Sequence, residues 1–295
     1  MRVASKWSYK SKIGIFILPA FIVYTVIVIY PILQTLYRSL FDWDGIGSGT
    51  YIGFENYTRL YEDPLFMISL KNGLIFAGLI LVYQLTMGTI LSLIMISKRK
   101  IFAKRLFKTS YFIPVVLSAT VVSQLWLFLY NTDRGVVNKL FEMLNINYTQ
   151  NWLGDTTLAI FAIAFVNAWQ YMGYQFSLIY TGVKSIPETY YEAALIDGAS
   201  SFTAHRVVTL PLLADVYKFC IILSITGGLK AFTEMYLMTN GGPADSTFTF
   251  SMMMFKSAFI LGEYGYGCAI SIILVLQCLL FMLIVNRIFA RSTQQ

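Results

Sequence analysis

The sequence predicts an all-α membrane protein with six transmembrane helices, and three observations support this fold class. Hydrophobic residues make up 57% of the 295 positions and charged residues only 13%, whereas soluble domains average about 25% charged residues. Six apolar segments reach the roughly 20 residues that a helix needs to cross a bilayer. These segments are continuous rather than alternating, which favours helices over the strands of a transmembrane barrel.

The six predicted helices form one transmembrane domain over residues 1–295. Their predicted bounds are 13–37, 73–97, 107–130, 157–182, 212–238 and 267–289. Basic residues precede the first helix, as they do in a signal peptide. Its apolar run is too long for a signal peptide, so we expect the helix to be retained.

The distribution of basic residues predicts which side of the membrane each loop faces. Fourteen Lys and Arg residues lie in the two termini and in the second and fourth loops, against six in the first, third and fifth loops. Because Lys and Arg are enriched in cytoplasmic loops, we expect both termini to be cytoplasmic. The same rule places the fourth loop, residues 183–211, on the cytoplasmic side.

The sequence lacks the residues that several kinds of chemistry need. The three cysteines lie in or beside apolar segments, so a disulfide framework is not expected. The single histidine, His205, excludes a His-rich metal site. No glycine precedes a lysine, so the Gly-Lys-Ser/Thr phosphate-binding motif is absent. We therefore expect no catalytic residue, no metal and no cofactor bound by this chain.

The fourth loop is predicted to contain a short helix outside the bilayer, over residues 187–197. Ser185 can cap its N-terminus, with Pro187 in the first turn and Glu188 three residues after the cap. Gly198 fits a helix stop. We expect a rod of about ten residues, roughly 15 Å long. A second short helix is expected over 201–208, ended by a proline.

The spacing in this loop resembles the EAA motif of binding-protein-dependent ABC importer permeases. That motif is Glu-Ala-Ala, three residues, Gly, nine residues, Ile, one residue and Leu-Pro, and every spacing is kept here, with valine for isoleucine. The matching residues are Glu192, Ala193, Ala194, Gly198, Val208, Leu210 and Pro211. The resemblance implies the type I importer permease fold and a coupling helix that docks on a separate ATPase subunit. Asp197 and His205 are expected at the same contact.

Other segments resemble the sugar-permease branch of this family. They are Leu18-Pro19 with Tyr30-Pro31, Ser39-Leu40-Phe41, Ile52-Gly53-Phe54-Glu55-Asn56-Tyr57 and Thr239-Asn240-Gly241-Gly242-Pro243. They are similar to the sugar-contacting subunit of maltose, glycerol-phosphate and multiple-sugar importers, without the large periplasmic insertion. The resemblance implies a second homologous permease, two ATPase subunits that use ATP and Mg, and an extracytoplasmic sugar-binding protein. It also implies a bacterial plasma or inner membrane.

The resemblance further implies where cargo binds. Maltose-type permeases carry an asparagine, a tyrosine and a serine of their sugar site at the positions of Asn167, Tyr174 and Ser224. They carry phenylalanine and two asparagines where this chain has Gly227, Gly228 and Ala231. We therefore expect a wider site with fewer side-chain contacts on that helix.

Carbohydrate chemistry adds two residues to this predicted site. Sugars need hydrogen-bonding side chains and flat apolar faces, and Gln170 and Tyr171 supply one of each. The same polar residues could instead hold helices together, and the pair of glycines at 227–228 could be a helix-packing notch. Lys230 and Glu234 are four residues apart on the fifth helix, where we favour a mutually neutralising or snorkelling pair over a substrate contact.

Import of a sugar or oligosaccharide is the main hypothesis, and three alternatives are weighed against it. The first is the same architecture with another solute, such as glycerol phosphate, a polyamine or an amino acid. Anionic cargo would call for arginines, and none lies near the centre of a predicted helix. A membrane-embedded enzyme would need paired carboxylates or a metal cluster. An ion channel or secondary transporter would not need the EAA loop.

Overall fold

The computed structural model describes residues 16–96, 104–146 and 148–292. The chain forms two compact units. The first comprises Met1–Asp63 and Met254–Ile273, and the second comprises Pro64–Met253 and Leu274–Gln295. The prediction of a single permease domain over 1–295 concerns a functional unit and stays a prediction.

Within the described ranges the chain is helical apart from one short hairpin. In chain order the elements are α1 (Phe16–Arg38, π-helical at Thr25–Ile29), β1 (Phe41–Asp42), β2 (Thr50–Tyr51), α2 (Glu55–Glu62), α3 (Pro64–Ile96), α4 (Lys104–Val116), α5 (Ala119–Leu129), α6 (Val136–Met143), α7 (Leu158–Lys184), α8 (Glu188–Ile196), α9 (201–212, π-helical at His205–Thr209), α10 (Ala214–Leu229), α11 (Thr233–Met238), α12 (Phe250–Ile260, π-helical at Lys256–Ile260) and α13 (Tyr264–Ser292).

Between three and five of these helical segments could cross a membrane by length and composition. Helices α1, α3 and α13 satisfy both criteria alone, whereas α4 with α5 and α9 with α10 do so only as pairs, bent by 102° and 64°. Helix α7 has 27 residues but carries polar residues at its centre. The six-span count and the cytoplasmic termini stay predictions. The basic residues of the N-terminal tail and of the stretch 97–103 lie outside the described residues.

The single helix predicted over 107–130 is interrupted after Leu117. Ser118 has an extended backbone, and its hydroxyl accepts a hydrogen bond from the N–H of Val121 at 3.3 Å, so it caps α5. The carbonyl of Leu117 accepts a hydrogen bond from Gln170 Nε2 at 2.9 Å. Because the backbone groups released at the bend find partners, the bend is compatible with an apolar environment. An apolar run does not reveal such a cap, so the prediction of one helix was wrong.

The helix predicted over 212–238 is also interrupted, and this separates two charged residues. Helix α10 ends with Lys230 as its C-cap, and α11 begins only at Thr233. Two consecutive glycines precede the break, and glycine weakens a helix. Lys230 and Glu234 are therefore not on one helical face. The ion pair found in the described residues joins Arg59 and Glu263 instead, so the prediction of a neutralising Lys230–Glu234 pair is wrong.

In the first unit, the segment around Asn56 is hydrogen-bonded to the residues that follow the C-terminus of α1. The buried Asn56 amide donates hydrogen bonds to the carbonyl oxygens of Ser39 and Phe41 at 2.9 and 3.0 Å. The hydroxyls of Ser39 and Tyr57 lie 2.6 Å apart. These contacts give the Ser39–Phe41 and Ile52–Tyr57 segments a structural role.

The second unit is centred on α7, which packs along α3 and also contacts α4, α5, α10 and α11. Large apolar side chains such as Phe76, Ile80 and Ile163 are fully buried between these helices. Glycines allow two close approaches: a Cβ at Gly228 would lie 2.7 Å from Ala77 Cα, and one at Gly173 would collide with the backbone of α4. Such small residues let helix backbones pack closely inside a membrane.

Candidate functional site

A cavity of about 530 Å³ lies in the second unit, between α3, α4, α5, α7, α10 and α11. Its volume falls within the roughly 300–1,000 Å³ that small-molecule pockets occupy. Seven of the eight predicted cargo residues line this cavity: Asn167, Tyr171, Tyr174, Ser224, Gly227, Gly228 and Ala231. Residues of α7, of α10 and of the link after α10 that the sequence predicts for one site are thus brought together in space.

Gln170 is the predicted cargo residue that does not line the cavity. Its side chain is 1% exposed, and its Nε2 donates to the carbonyl of Leu117 at the bend between α4 and α5. This hydrogen bond gives the Gln170 amide a structural role at the helix break. Its assignment as a cargo residue stays a prediction.

The cavity wall has both aromatic and open surfaces. Tyr171 and Tyr174 are partly exposed on the α7 side, at 36% and 41%. The two glycines of α10 have different environments: a Cβ at Gly228 would collide with Ala77, whereas a Cβ at Gly227 would meet nothing within 4 Å. Gly228 therefore allows close packing of α10 on α3, as expected of a helix-packing notch. Gly227 instead leaves open space, as expected of a wider cargo site.

A chain of buried hydrogen bonds runs along the wall of the cavity and joins four helices. Asn167 Nδ2 donates to Glu234 Oε1 at 2.7 Å, and Gln84 Nε2 donates to Asn167 Oδ1 at 3.2 Å. The Ser224 hydroxyl donates to Gln84 Oε1 at 2.8 Å and accepts from Gln175 Nε2 at 2.9 Å. Each of the five side chains is buried. A buried and largely satisfied network of this kind fixes side-chain orientation.

This network includes three residues that sequence reasoning did not place in the site. Gln84 is its centre, since it contacts Asn167, Ser224 and Gln175. Gln84, Gln175 and Glu234 are all polar residues inside apolar segments, and polar residues at membrane depth tend to face the bundle interior. Their polarity is visible in the sequence, but their contacts with Asn167 and Ser224 are not.

A second cavity of about 710 Å³ lies beside α4, α7 and α10, nearer to the fourth loop. Its polar lining includes the hydroxyls of Ser177, Thr181 and Ser185 and the carboxyl of Asp215. Tyr174 lines both cavities. The two cavities therefore lie in succession along α7, with this tyrosine between them.

The fourth loop forms the predicted short helix, with a different start. Helix α8 has nine residues and begins at Glu188 with Pro187 as its N-cap, which gives a rod of about 14 Å. Ser185 caps the end of α7 instead, where its hydroxyl donates to the Gly182 carbonyl at 2.7 Å. The prediction of Ser185 as N-cap is wrong because α7 extends to Lys184 and uses this residue for its own last turn.

The stop of α8 is confirmed at Gly198. This glycine has a φ of +83°, the left-handed conformation that favours glycine at a helix end. The N–H of Ala199 donates to the Ala194 carbonyl at 2.9 Å and closes the last turn.

None of the side chains of α8 is buried in the described chain. Glu192, Ala193 and Asp197 are exposed and Ala194 is half-buried. Apolar groups are also uncovered: Ile196 is 85% exposed, and Leu195 and Tyr190 are more than half exposed. A short helix that exposes apolar side chains is typical of an interaction surface.

His205 contacts other residues of the loop. Its Nδ1 lies 3.0 Å from Thr209 Oγ1, and the Tyr191 hydroxyl lies 2.8 Å from the same oxygen. The rings of Tyr191 and His205 pack edge to face at 5.5 Å. This three-residue cluster fastens α8 to α9.

Helix α9 leads from this cluster into α10. It runs through Pro211 to Leu212, with Leu210 and Pro211 exposed. The predicted stop before this proline is therefore wrong, since the helix includes Pro211 and ends one residue beyond it. At the base of the loop, buried Ile179, Val183, Leu213 and Cys220 join α7 to the start of α10. The loop is thus anchored to both helices that carry most of the cavity residues.

Residues 72–294 match the family of the binding-protein-dependent transport system inner membrane component, and the chain belongs to this family. It is 32% identical over 283 residues to the "Probable ABC transporter permease protein YurN" of Bacillus subtilis, covering 95% of this chain and 97% of that relative. It is 31% identical to the trehalose/maltose transport system permease MalF of Thermococcus litoralis, covering 96% and 95%.

A solved structure shows the same fold. A chain of a bacterial alginate ABC transporter, crystallised in complex with an alginate pentasaccharide-bound periplasmic protein, superposes with a TM-score of 0.82 at 19% identity. The match covers 100% of this chain and 99% of that one. The predicted importer permease fold is confirmed. The chain is a multi-pass permease subunit of an ABC importer, and ATP hydrolysis belongs to a separate subunit.

Proposed function

We propose that this permease translocates a sugar or oligosaccharide that an extracytoplasmic binding protein delivers. The observation that carries the proposal is the convergence of Asn167, Tyr171, Tyr174 and Ser224 on one cavity. Asn167, Tyr174 and Ser224 match the sugar site of maltose-type permeases, and Ser224 lies 50 residues beyond Tyr174 in the sequence. Tyr171 adds an aromatic face of the kind that a carbohydrate needs. The sugar-importer names of similar chains, such as the trehalose/maltose permease, support the same cargo class.

The cavity offers the two kinds of surface that a carbohydrate needs. Asn167 and Ser224 are held by the buried network but keep unused hydrogen-bonding capacity, because an amide has two N–H groups and a hydroxyl oxygen has two lone pairs. Tyr171 and Tyr174 supply partly exposed rings for the C–H faces of a sugar. The open space beside Gly227 leaves room for a bulky or extended glycan.

The fourth loop is proposed to couple this cavity to ATP hydrolysis. Helix α8 would dock in a cleft of one of two ATPase subunits, which hold ATP and Mg, and a second homologous permease would complete the assembly. In α7, 17 residues separate Asn167 from Lys184, a distance of about 26 Å along a helix. Because the loop is anchored to α7 and α10, a movement of α8 would reach the cavity as a rigid-body movement.

The composition of the cavity wall disfavours a strongly anionic solute such as glycerol phosphate. Within the described chain no arginine lines the cavity, and its charged residues are Lys230 and Glu234. Arginine is the side chain best suited to bind phosphate with two hydrogen bonds. A neutral polar cargo fits the wall better.

The test is ATP-driven uptake of labelled oligosaccharides into proteoliposomes that contain the complete importer. Asn167→Ala combined with Tyr174→Ala should lower uptake at least tenfold and leave the affinity of the binding protein for its sugar unchanged. Tyr24→Ala, at an exposed position of α1 outside the cavity, is the control. Unchanged uptake in the double variant would place the cargo site elsewhere.

A further inference from the structure

Glu234 is a buried acid in the wall of the cavity of about 530 Å³. Its side chain is 4% exposed, and it is the only acidic residue among the described residues that line this cavity. One carboxylate oxygen, Oε1, accepts a hydrogen bond from Asn167 Nδ2 at 2.7 Å. The other oxygen, Oε2, has no hydrogen-bond partner within the part of the chain that the structure describes. One oxygen is thus fixed by the protein while the other remains available.

The charge of Glu234 is not neutralised by the other charged residue of the cavity. Lys230 also lines the wall, but it is the exposed C-cap of α10. Among the described residues, the ion pair within 4.0 Å joins Arg59 and Glu263. Lys230 and Glu234 form no such pair, so the ammonium lies more than 4.0 Å from the carboxylate. Lys230 can therefore balance the overall charge of the cavity without occupying the free oxygen.

A carboxylate in this position can accept hydrogen bonds but cannot donate them while ionised. Burying a carboxylate is costly unless donors surround it, and here the protein supplies one donor, Asn167. A sugar hydroxyl is a donor of suitable size for Oε2. An acidic sugar unit would instead bring a second negative charge to the same place, where low polarity strengthens the repulsion.

We propose that Glu234 is a specificity residue of this permease: it accepts a hydrogen bond from a hydroxyl of the cargo through Oε2 and selects neutral sugar units over acidic ones. The proposal rests on the proposed sugar transport and names its substrate class. It differs from a purely structural role for Glu234, in which the carboxylate serves only to orient the Asn167 amide.

The substitution Glu234→Gln separates these two roles. The amide oxygen of glutamine can still accept the hydrogen bond from Asn167, while its NH₂ group replaces the free carboxylate oxygen with a donor. A sugar hydroxyl that donates to Oε2 would then face a donor. Since a hydrogen bond to a charged group is worth more than a neutral one, uptake efficiency should fall roughly ten- to hundredfold. A purely structural Glu234 would tolerate this change.

The assay uses the complete importer in proteoliposomes and two probe mixtures of equal chain length. One contains neutral malto-, xylo- and galacto-oligosaccharides of two to five units, and the other contains oligouronates. Mass spectrometry identifies the species that enter with ATP. The wild type should import neutral species, and Glu234→Gln should lose at least nine-tenths of this uptake with unchanged affinity of the binding protein. Glu142→Gln, at an exposed position of α6, is the matched control.

Each outcome bears on one claim. If the wild type imports no species of either mixture, the proposed sugar transport fails. If it imports neutral species and Glu234→Gln imports them equally well, the transport proposal stands and the role of Glu234 is overturned. Import of oligouronates by the wild type also overturns it. If Glu234→Gln does not assemble, the deciding variant is Glu234→Asp, which keeps the charge. This variant should retain the preference for neutral species. A loss of that preference contradicts the proposal.

Discussion

Replacing Gly173 with alanine should push α4 away from α7, and the structure indicates by how much. An added Cβ would collide with the carbonyl oxygen of Tyr111 and would lie 2.8 Å from its carbonyl carbon. Carbon atoms in contact prefer about 3.5–4.0 Å, so the backbone of α4 must withdraw by at least about 0.7 Å. Overpacking of this kind costs about 1–3 kcal/mol.

Gly78→Ala is the matched control for this substitution. Gly78 is also a helical glycine of the second unit, but a Cβ there would meet nothing within 4 Å. Both substitutions gain roughly 1 kcal/mol of helix propensity, so the difference between the two variants isolates the packing cost.

The assay is thermal unfolding of the purified importer, combined with uptake. A difference of 1 kcal/mol shifts the midpoint by about 2 °C in a chain of 295 residues. Gly173→Ala should therefore unfold roughly 2–6 °C below Gly78→Ala. Uptake should also slow, because Tyr171 and Tyr174 lie on either side of position 173 in the sequence. Both tyrosines line the cavity of about 530 Å³, as does Val115 of α4. Equal midpoints for the two variants would refute the close packing of α4 on α7.

Two further predictions concern the start of α7 and the fourth loop. The N–H groups of Leu158 and Thr157 donate to Asp155 at 2.9 and 2.8 Å and lower the pKa of its carboxyl. A lowered folded-state pKa gives stability that is present above the unfolded pKa and lost as pH falls through the folded pKa. Asp155→Asn should therefore flatten the decline in unfolding temperature below about pH 4, and an unchanged decline would contradict this. Glu192→Lys should abolish ATP-driven uptake while assembly and basal ATP hydrolysis persist. Glu62→Lys is the charge-reversal control. Uptake at the wild-type rate in Glu192→Lys would exclude α8 from the coupling mechanism.

The long helices could be predicted because their signal is local. An apolar run such as the one in α3 or α13 defines a helix by itself, since backbone groups in an apolar environment must be bonded within the segment. The short helix α8 was also predictable, because the EAA spacing and Gly198 define its place and its end.

The helix breaks could not be predicted because they depend on distant partners. The bend at Leu117 is stabilised by Gln170, 53 residues further along the chain. No apolar pattern in 107–130 encodes that contact. The break after Lys230 likewise depends on how the chain packs beyond two glycines. This is why Lys230 and Glu234 were taken for neighbours on one helix.

The cavity was predicted in part, through residues that match the sugar site of maltose-type permeases. Asn167 and Ser224 were identified, but their partners Gln84, Gln175 and Glu234 were not. Each partner lies on its own helical segment or at a different height of α7. A single sequence does not show which polar residues of separate apolar segments meet in space.

The most direct test of the account is to locate the cargo in the complete importer. A cryo-EM structure of the assembly, trapped with ATP bound but not hydrolysed and with its sugar present, would show the ligand itself. The account predicts sugar density in contact with Asn167, Tyr174 and Ser224, with a hydroxyl at Glu234 Oε2. Sugar density confined to the cavity lined by Ser177 and Asp215, or outside both cavities, would contradict it.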